Sequence, residues 1–334
     1  MAIGGFFPLE SLGHQAIAPV NNVLEFWQAG PENSWQFANA RSALAYLLKE
    51  KGIRRLWLPA LICPELATVV GQNCTISYFP LDDDLSPDVE FLDSNICAGE
   101  CVLGVDYFGR QPSQAFRDFV STRNDVQWVE DRAQALAPAP APWASWVLYS
   151  PRKLFGVPDG GILVQMNGPL EKPAYRGADV TAAVAARNDA QEDRTWRFEL
   201  YQETERRMDV SMQGMSRLSR ETLAMIDPLA VATHRRENFA VLARLLGDVA
   251  LWADGAVDFA PLGLPVKIPG CDDVWRKMCA SGVFPARHFY TLPSDPKVFR
   301  REHALGAATM TLPCDQRYGI TDMHRVAAVF RASL

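Results

Sequence analysis

Apolar and polar positions follow two periods along the first half of the chain. Short runs rich in apolar residues at 54–58, 75–79, 101–106 and 126–130, bounded by proline, glycine or acidic positions, predict buried strands. Between them, helices are predicted over 38–50, 64–70 and 113–121. In the first of these Leu44, Leu47 and Leu48 share a face and Gly52 stops the turn pattern. Strands alternating with helices imply an α/β chain, a mostly parallel sheet covered by helices on both faces. Residues 1–35 are cut by Pro8, Pro19 and Pro31 and read as an irregular arm with one short helix near 22–28. Residues 80–100 read as acidic loop.

Two further apolar runs, 146–149 and 162–164, predict strands joined by a shaped turn that carries Pro151, Gly156, Pro158 and the pair Gly160-Gly161. Upstream, the Ala-Pro alternation of 134–143 predicts an extended connector. Residues 167–195 read as polar loop, and 193–246 as a long helical region broken near Asp227-Pro228, with Leu218, Leu223 and Ile226 at helical spacing. Beyond 261 the chain predicts short strands at 265–268 and 309–312 and helices at 272–281 and 322–331. The expected division is a large domain over 1–228 and a small C-terminal α+β domain over 229–334, with no internal repeat.

The turn after residue 149 holds one lysine, Lys153. The other lysines (Lys49, Lys51, Lys172, Lys267, Lys277 and Lys297) lack its bracket of apolar strands and fixed turns. A lysine against a dry wall loses proton affinity, which is the state an amine needs to form a Schiff base with an aldehyde. The other reading is an ordinary surface-turn lysine.

Bulk properties narrow the classes. With 48% hydrophobic residues in 334 the chain has material for a sizeable core. A net charge of −6, without a basic stripe, argues against nucleic acid. Seven irregularly spaced cysteines suit a reducing compartment, and Cys97 and Cys101 lack the second pair that zinc requires. The first residues carry no basic start and no long apolar run, and no membrane-length apolar window occurs. The expectation is a cytoplasmic protein with no membrane partner.

Polar residues gather where strands are predicted to end, the usual ligand position in open α/β sheets. Asp131 and Gln134 follow the strand at 126–130, as ligand contacts or as cap and turn residues. The strand at 101–106 delivers Asp106, Tyr107 and Phe108 at its end; Phe108 reads as core. Arg41 and Ser42 lie at the start of the first strong helix, where backbone N–H groups, a hydroxyl and a guanidinium suit a phosphate; a solvated arginine beside an N-cap is the alternative.

In this order, a helix-start anion site, an acid closing a later strand and a lysine on the next hairpin resemble the fold type I enzymes that use pyridoxal phosphate, and within them the DegT/DnrJ/EryC1/StrS sugar aminotransferases. Glu130-Asp131-x-Ala133-Gln134-Ala135 is similar to that family's acid-and-glutamine strand end. Lys153 with Gly160-Gly161 is similar to its lysine-then-double-glycine segment, and Ser150-Pro151-Arg152-Lys153 to a wider Ser-x-x-Lys pattern. The stretches 281–290 and 312–318 resemble parts of its small domain. The resemblance implies that Lys153 holds the cofactor, that Asp131 pairs with its ring nitrogen, that Gln134 lies near its phenolic oxygen and that Ser150 binds its phosphate. It also implies substrate contacts at Arg287, His288 and Tyr290, a keto-sugar acceptor, an amino-acid donor such as glutamate, and a homodimer.

Three departures stand out. Ala40-Arg41 replace the family's Gly-Thr, which makes Arg41 and Arg152 the candidates to supply charge for the phosphate. Cys63 stands where a stacking aromatic is usual, so Tyr107 becomes the candidate stacker. No partner-contributed segment is recognisable in 167–195. Lys153 itself argues against the related sugar dehydratases, which tend to carry histidine there. A relative that binds a sugar nucleotide without turnover is the reading from another class. The apolar residues of the first 35 positions offer a surface for a second subunit, unless the arm folds back on its own domain.

Overall fold

The computed structural model describes residues 2–10, 19, 21–30, 32–71, 73–136, 141–166, 170–173, 176–188, 194–206 (194–198 as backbone only), 208–252 and 257–334. Its strands are β1 Ile3–Gly4, β2 Ser34–Phe37, β3 Arg55–Pro59, β4 Thr75–Phe79, β5 Cys101–Val105, β6 Gln127–Asp131, β7 Trp146–Tyr149, β8 Gly161–Gln165, β9 Leu264–Lys267, β10 Val283–Phe284 and β11 Thr309–Leu312. The main sheet has seven strands in the order β2-β8-β7-β6-β5-β3-β4. From β7 to β4 every pairing is parallel, whereas β8 runs antiparallel to β7 and β2 antiparallel to β8. The α/β class with a mostly parallel sheet therefore holds.

Side-chain alternation builds a core on each face of the sheet. Trp146, Leu148 and Leu163 join a cluster with Leu44, Leu47 and Leu48 of the helix Ala40–Glu50. Their neighbours Val147, Tyr149, Ile162 and Val164 point the other way, into a cluster with Val23, Leu223 and Ile226. A third core packs Phe239, Leu242 and Leu246 of the helix Pro228–Leu246 against β9, β11 and the helix Ile320–Ser333.

Besides the two-residue strands β1 and β10, four elements depart from the sequence reading. β2 occupies the end of the stretch read as irregular, because a four-residue strand is defined by its partner β8, far along the chain. A helix, Val89–Asn95, capped by Asp88 on the Phe91 N–H at 2.9 Å, interrupts the acidic loop. Another, Thr181–Arg187, lies within 167–195. The helix Arg300–Ala308 buries Glu302 and Gly306 and so shows no apolar stripe. The long helical region resolves into Arg194–Arg206, Arg217–Leu223 and Pro228–Leu246. The centre of the Ala-Pro connector, 137–140, lies outside the described residues.

The N-terminal arm folds onto its own chain. Ile3 is fully buried in the third core, and β1 pairs in parallel with β10. Arg317 donates to the carbonyls of Phe6 and Gly5 at 3.1 and 3.3 Å, and Arg187 to that of Phe7 at 2.7 Å. Further on, Glu10 takes both backbone groups of Gly156: its N–H donates to the Gly156 carbonyl at 2.8 Å, and its carboxylate accepts from the Gly156 N–H at 3.0 Å. Trp27 stacks on Tyr149 with ring centroids 4.4 Å apart. The arm thus joins the third core to the lysine turn.

Candidate active site

Because β3, β5, β6 and β7 are parallel, their carboxyl ends deliver Leu61, Asp106-Tyr107, Asp131 and Ser150 to one edge of the sheet. Asp131 is 4% exposed. Its carboxylate accepts from the Ala133 N–H at 2.8 Å. Burial pushes this carboxyl above its ordinary range, against the opposing pull of the Lys153 charge and the Ala133 N–H. Lys153 itself is exposed, at the end of a tight turn, Pro151–Lys153. The dry wall expected around it is absent; it lines a cavity of about 340 Å³ with Arg152, His288, Phe6 and Glu205.

The charge of Lys153 also reaches Cys63, whose thiol burial pushes up, and His288, whose imidazole burial and Lys153 push down to about 3. His288 is half-buried, its ring 6.3 Å from Phe108. Cys63, Asp131, Lys153 and His288 therefore form one neighbourhood. Tyr107 belongs to it as well: burial raises its phenol well above the ordinary value, with Asp131 the next cause. Its hydroxyl donates to the Leu61 carbonyl at 2.5 Å and its ring meets Phe289 edge-on, so it is fixed in the core.

Gln134 is buried, and its side-chain oxygen accepts from the Phe108 N–H at 2.8 Å. Phe108 sits in the left-handed region at φ 56°, a strained backbone that this bond helps to hold. Ser150 is buried beside the turn, and its carbonyl accepts from the Lys153 N–H at 3.1 Å.

At the helix start, Asn39 caps Ser42 at 2.9 Å. The Ser42 hydroxyl donates to Asn39 at 3.1 Å and accepts from the Ser211 N–H at 3.0 Å. Arg41 donates to the Met208 carbonyl. Burial lowers its proton affinity, and the charge of Arg152 lowers it further, which places the two guanidinia near each other. Arg152 pairs with Glu205, and its Nε is buried without a partner. Burial alone would lower the Arg152 pKa; Glu205 and Tyr201 more than offset it.

Of the expected substrate contacts, His288 alone lines the cavity. Arg287 pairs with Asp272 and donates to the Ala307 carbonyl at 3.1 Å, while Tyr290 is 68% exposed. Sequence reasoning missed Glu205, Tyr201 and the arm residues Phe6 and Phe7, all of which line the cavity. The aromatic crowding of the arm was the visible signal. Among the described residues no cluster suits a metal ion, and no helix is long and apolar enough to cross a membrane.

This mostly parallel seven-stranded sheet with its covering helices matches the fold of solved aminotransferases of fold type I. Solved structures with the same fold include Spr1654 of Streptococcus pneumoniae, described as a sugar aminotransferase in its PMP form (TM-score 0.69, 14% identity, 100% of this chain and 98% of that one). Others are a DegT DnrJ EryC1 StrS aminotransferase from Brucella abortus (TM-score 0.63, 17% identity, 95% and 91%) and DesI, solved with its TDP-sugar product (TM-score 0.63, 20% identity, 93% and 84%). No protein-family model and no curated protein matches the chain.

Proposed function

We propose that the chain is a pyridoxal-phosphate-dependent aminotransferase that converts a keto group of a nucleotide-linked sugar to an amine, with an amino acid such as glutamate as donor. The observation that carries this reading is the placement of Lys153 within electrostatic reach of the buried carboxylate of Asp131, at the carboxyl ends of adjacent parallel strands. Solved structures of the same fold, one of them holding a TDP-sugar product, support the substrate class.

The residues fit the cofactor. Asp131 is a desolvated acid beside a cation, and Arg152 keeps an unpartnered buried Nε next to Lys153. Arg41 adds a second guanidinium nearby. The cofactor supplies an aldehyde for the amines and a ring that takes up an electron pair. Lys153 would hold it and, once freed, would use its amine to carry a proton between the substrate carbon and the cofactor carbon. Asp131 would hold a negative charge against the ring nitrogen and keep it protonated. Arg41, Arg152 and Ser150 would take the phosphate. Gln134 would act through Phe108, whose strained turn its side-chain oxygen holds. Tyr107, bound to Leu61, is a wall of the site. His288, its imidazole pushed down by burial and the Lys153 charge, would line the substrate cavity with Lys153. A homodimer and a role in polysaccharide biosynthesis in the cytoplasm complete the proposal.

The test is spectroscopic and chemical. Pyridoxal phosphate added to the purified chain is expected to give a near-visible band, and borohydride to fix the adduct on Lys153 in a peptide map. Glutamate is then expected to bleach the band and yield 2-oxoglutarate. A band that survives in Lys153→Ala overturns the assignment.

A further inference from the structure

Three of the groups read from sequence as phosphate contacts, Arg41, Ser42 and Arg152, are engaged by one short part of the chain. Arg152 pairs with Glu205, and Arg41 donates to the Met208 carbonyl. Asn39, the cap of the same helix, donates to the Asp209 carbonyl at 3.0 Å, and Ser42 accepts from the Ser211 N–H at 3.0 Å. A carboxylate and two carbonyl oxygens thus sit on donors that an anion would use. Glu205 acts on both arginines, since its charge favours the protonated form of Arg41 as well as of Arg152.

We infer that Glu205 is the resident counter-ion of an anion cradle built by Arg41 and Arg152, and that a phosphate group enters by displacing it. The inference deepens the cofactor reading above and rests on it. Two guanidinia brought together in a half-buried site repel each other, and Glu205 offsets that repulsion. It does so from a half-exposed position, with 32% of its side chain open against 11% for Arg152, so the carboxylate can return to water when a stronger anion arrives. A phosphate brings more charge and more acceptor oxygens than a carboxylate, and the buried Arg152 Nε gives it a donor that Glu205 leaves unused. The cradle would thus be held together by an ion pair and would exchange one anion for another.

Calorimetric titration of the cofactor-stripped chain with inorganic phosphate tests this. Glu205→Gln is expected to bind phosphate about tenfold more tightly than the wild type, the scale of one partly exposed charge interaction. Equal or weaker binding overturns the inference. A second measurement needs no variant: saturating phosphate is expected to speed hydrogen exchange in peptides carrying Glu205 and Ser211, and unchanged or slower exchange overturns it. The pyridoxal-phosphate band keeps the two readings apart. Its absence from the wild type removes the cofactor reading; its presence with unchanged phosphate affinity in Glu205→Gln removes only the role of Glu205.

Discussion

Gly161 rests directly on the backbone of Asn39, so closely that a Cβ there would overlap the Asn39 carbonyl and the Ala40 amide nitrogen. The neighbouring Gly160 donates its N–H to the Ala38 carbonyl at 2.7 Å and adopts φ 134°. The double glycine therefore brings the lysine hairpin against the start of the helix Ala40–Glu50. Gly161→Ala is expected to cost about 3 kcal/mol, since backbone cannot yield as a side chain does. Denaturant unfolding measures the loss, and phosphate titration of the folded fraction should show a weakened cradle. A wild-type midpoint would mean that the contact is loose.

Asp131→Asn keeps the shape of the side chain and the bond from Ala133 but removes the negative charge beside Lys153. Pyridoxal phosphate is expected to stay bound while turnover falls by about a hundredfold, the scale of losing one charged contact to a reacting centre. Absorbance reports the first and a coupled 2-oxoglutarate assay the second. Wild-type turnover would reduce Asp131 to a turn acid.

Arg41→Ala is expected to weaken phosphate and pyridoxal phosphate by about 1.5–3 kcal/mol, the value of a charge-assisted hydrogen bond in a partly buried site. Pyridoxal without its phosphate should bind both proteins alike. An unchanged dissociation constant for pyridoxal phosphate would leave Arg41 as a cap for the Met208 carbonyl and no more.

The centre of the site is legible in the sequence because its parts lie on short punctuated segments. Asp131 ends a strand, Lys153 sits among prolines and glycines, and each can be located without knowing what lies across from it. The walls of the cavity are not legible in the same way. Phe6, Glu205 and His288 come from three distant parts of the chain and meet only through packing. Arg287 and His288 are adjacent in sequence, yet one pairs with Asp272 and the other lines the cavity with Lys153, a choice of side that a two-residue motif does not encode. The helix Arg300–Ala308 escaped for a related reason: what it buries is Glu302, satisfied by the Leu81 N–H at 3.0 Å, and a glycine against Phe289.

Glu10 gives a pH-dependent expectation. Burial raises its carboxyl above the ordinary value, more than the Gly156 N–H and the charges of Arg317 and Arg235 lower it. A carboxyl whose folded pKa is raised contributes stability that is complete below the unfolded pKa and is lost as pH rises through the folded one. The wild type is therefore expected to lose some stability as pH climbs from the ordinary glutamate range upward. Glu10→Gln, which still accepts from Gly156 but does not ionise, should flatten that slope. Parallel slopes for the two proteins in thermal melts across this range would show that Glu10 is ionised in the fold without penalty.

Ile3 decides where the arm belongs. Its side chain is fully buried in a core otherwise built from residues 239–330, and the neighbouring Gly4 N–H donates to the Tyr318 hydroxyl at 2.8 Å. Ile3→Ala is expected to cost about 3 kcal/mol, the usual range for emptying such a site. The loss should be the same at low and high protein concentration, because the contact is within one chain. Should the arm instead cross to a second subunit, the variant would lower the melting temperature more at low concentration and shift light scattering toward the monomer. Melts of both proteins over a hundredfold dilution separate the two arrangements, and a concentration-dependent difference would return the arm to the subunit boundary.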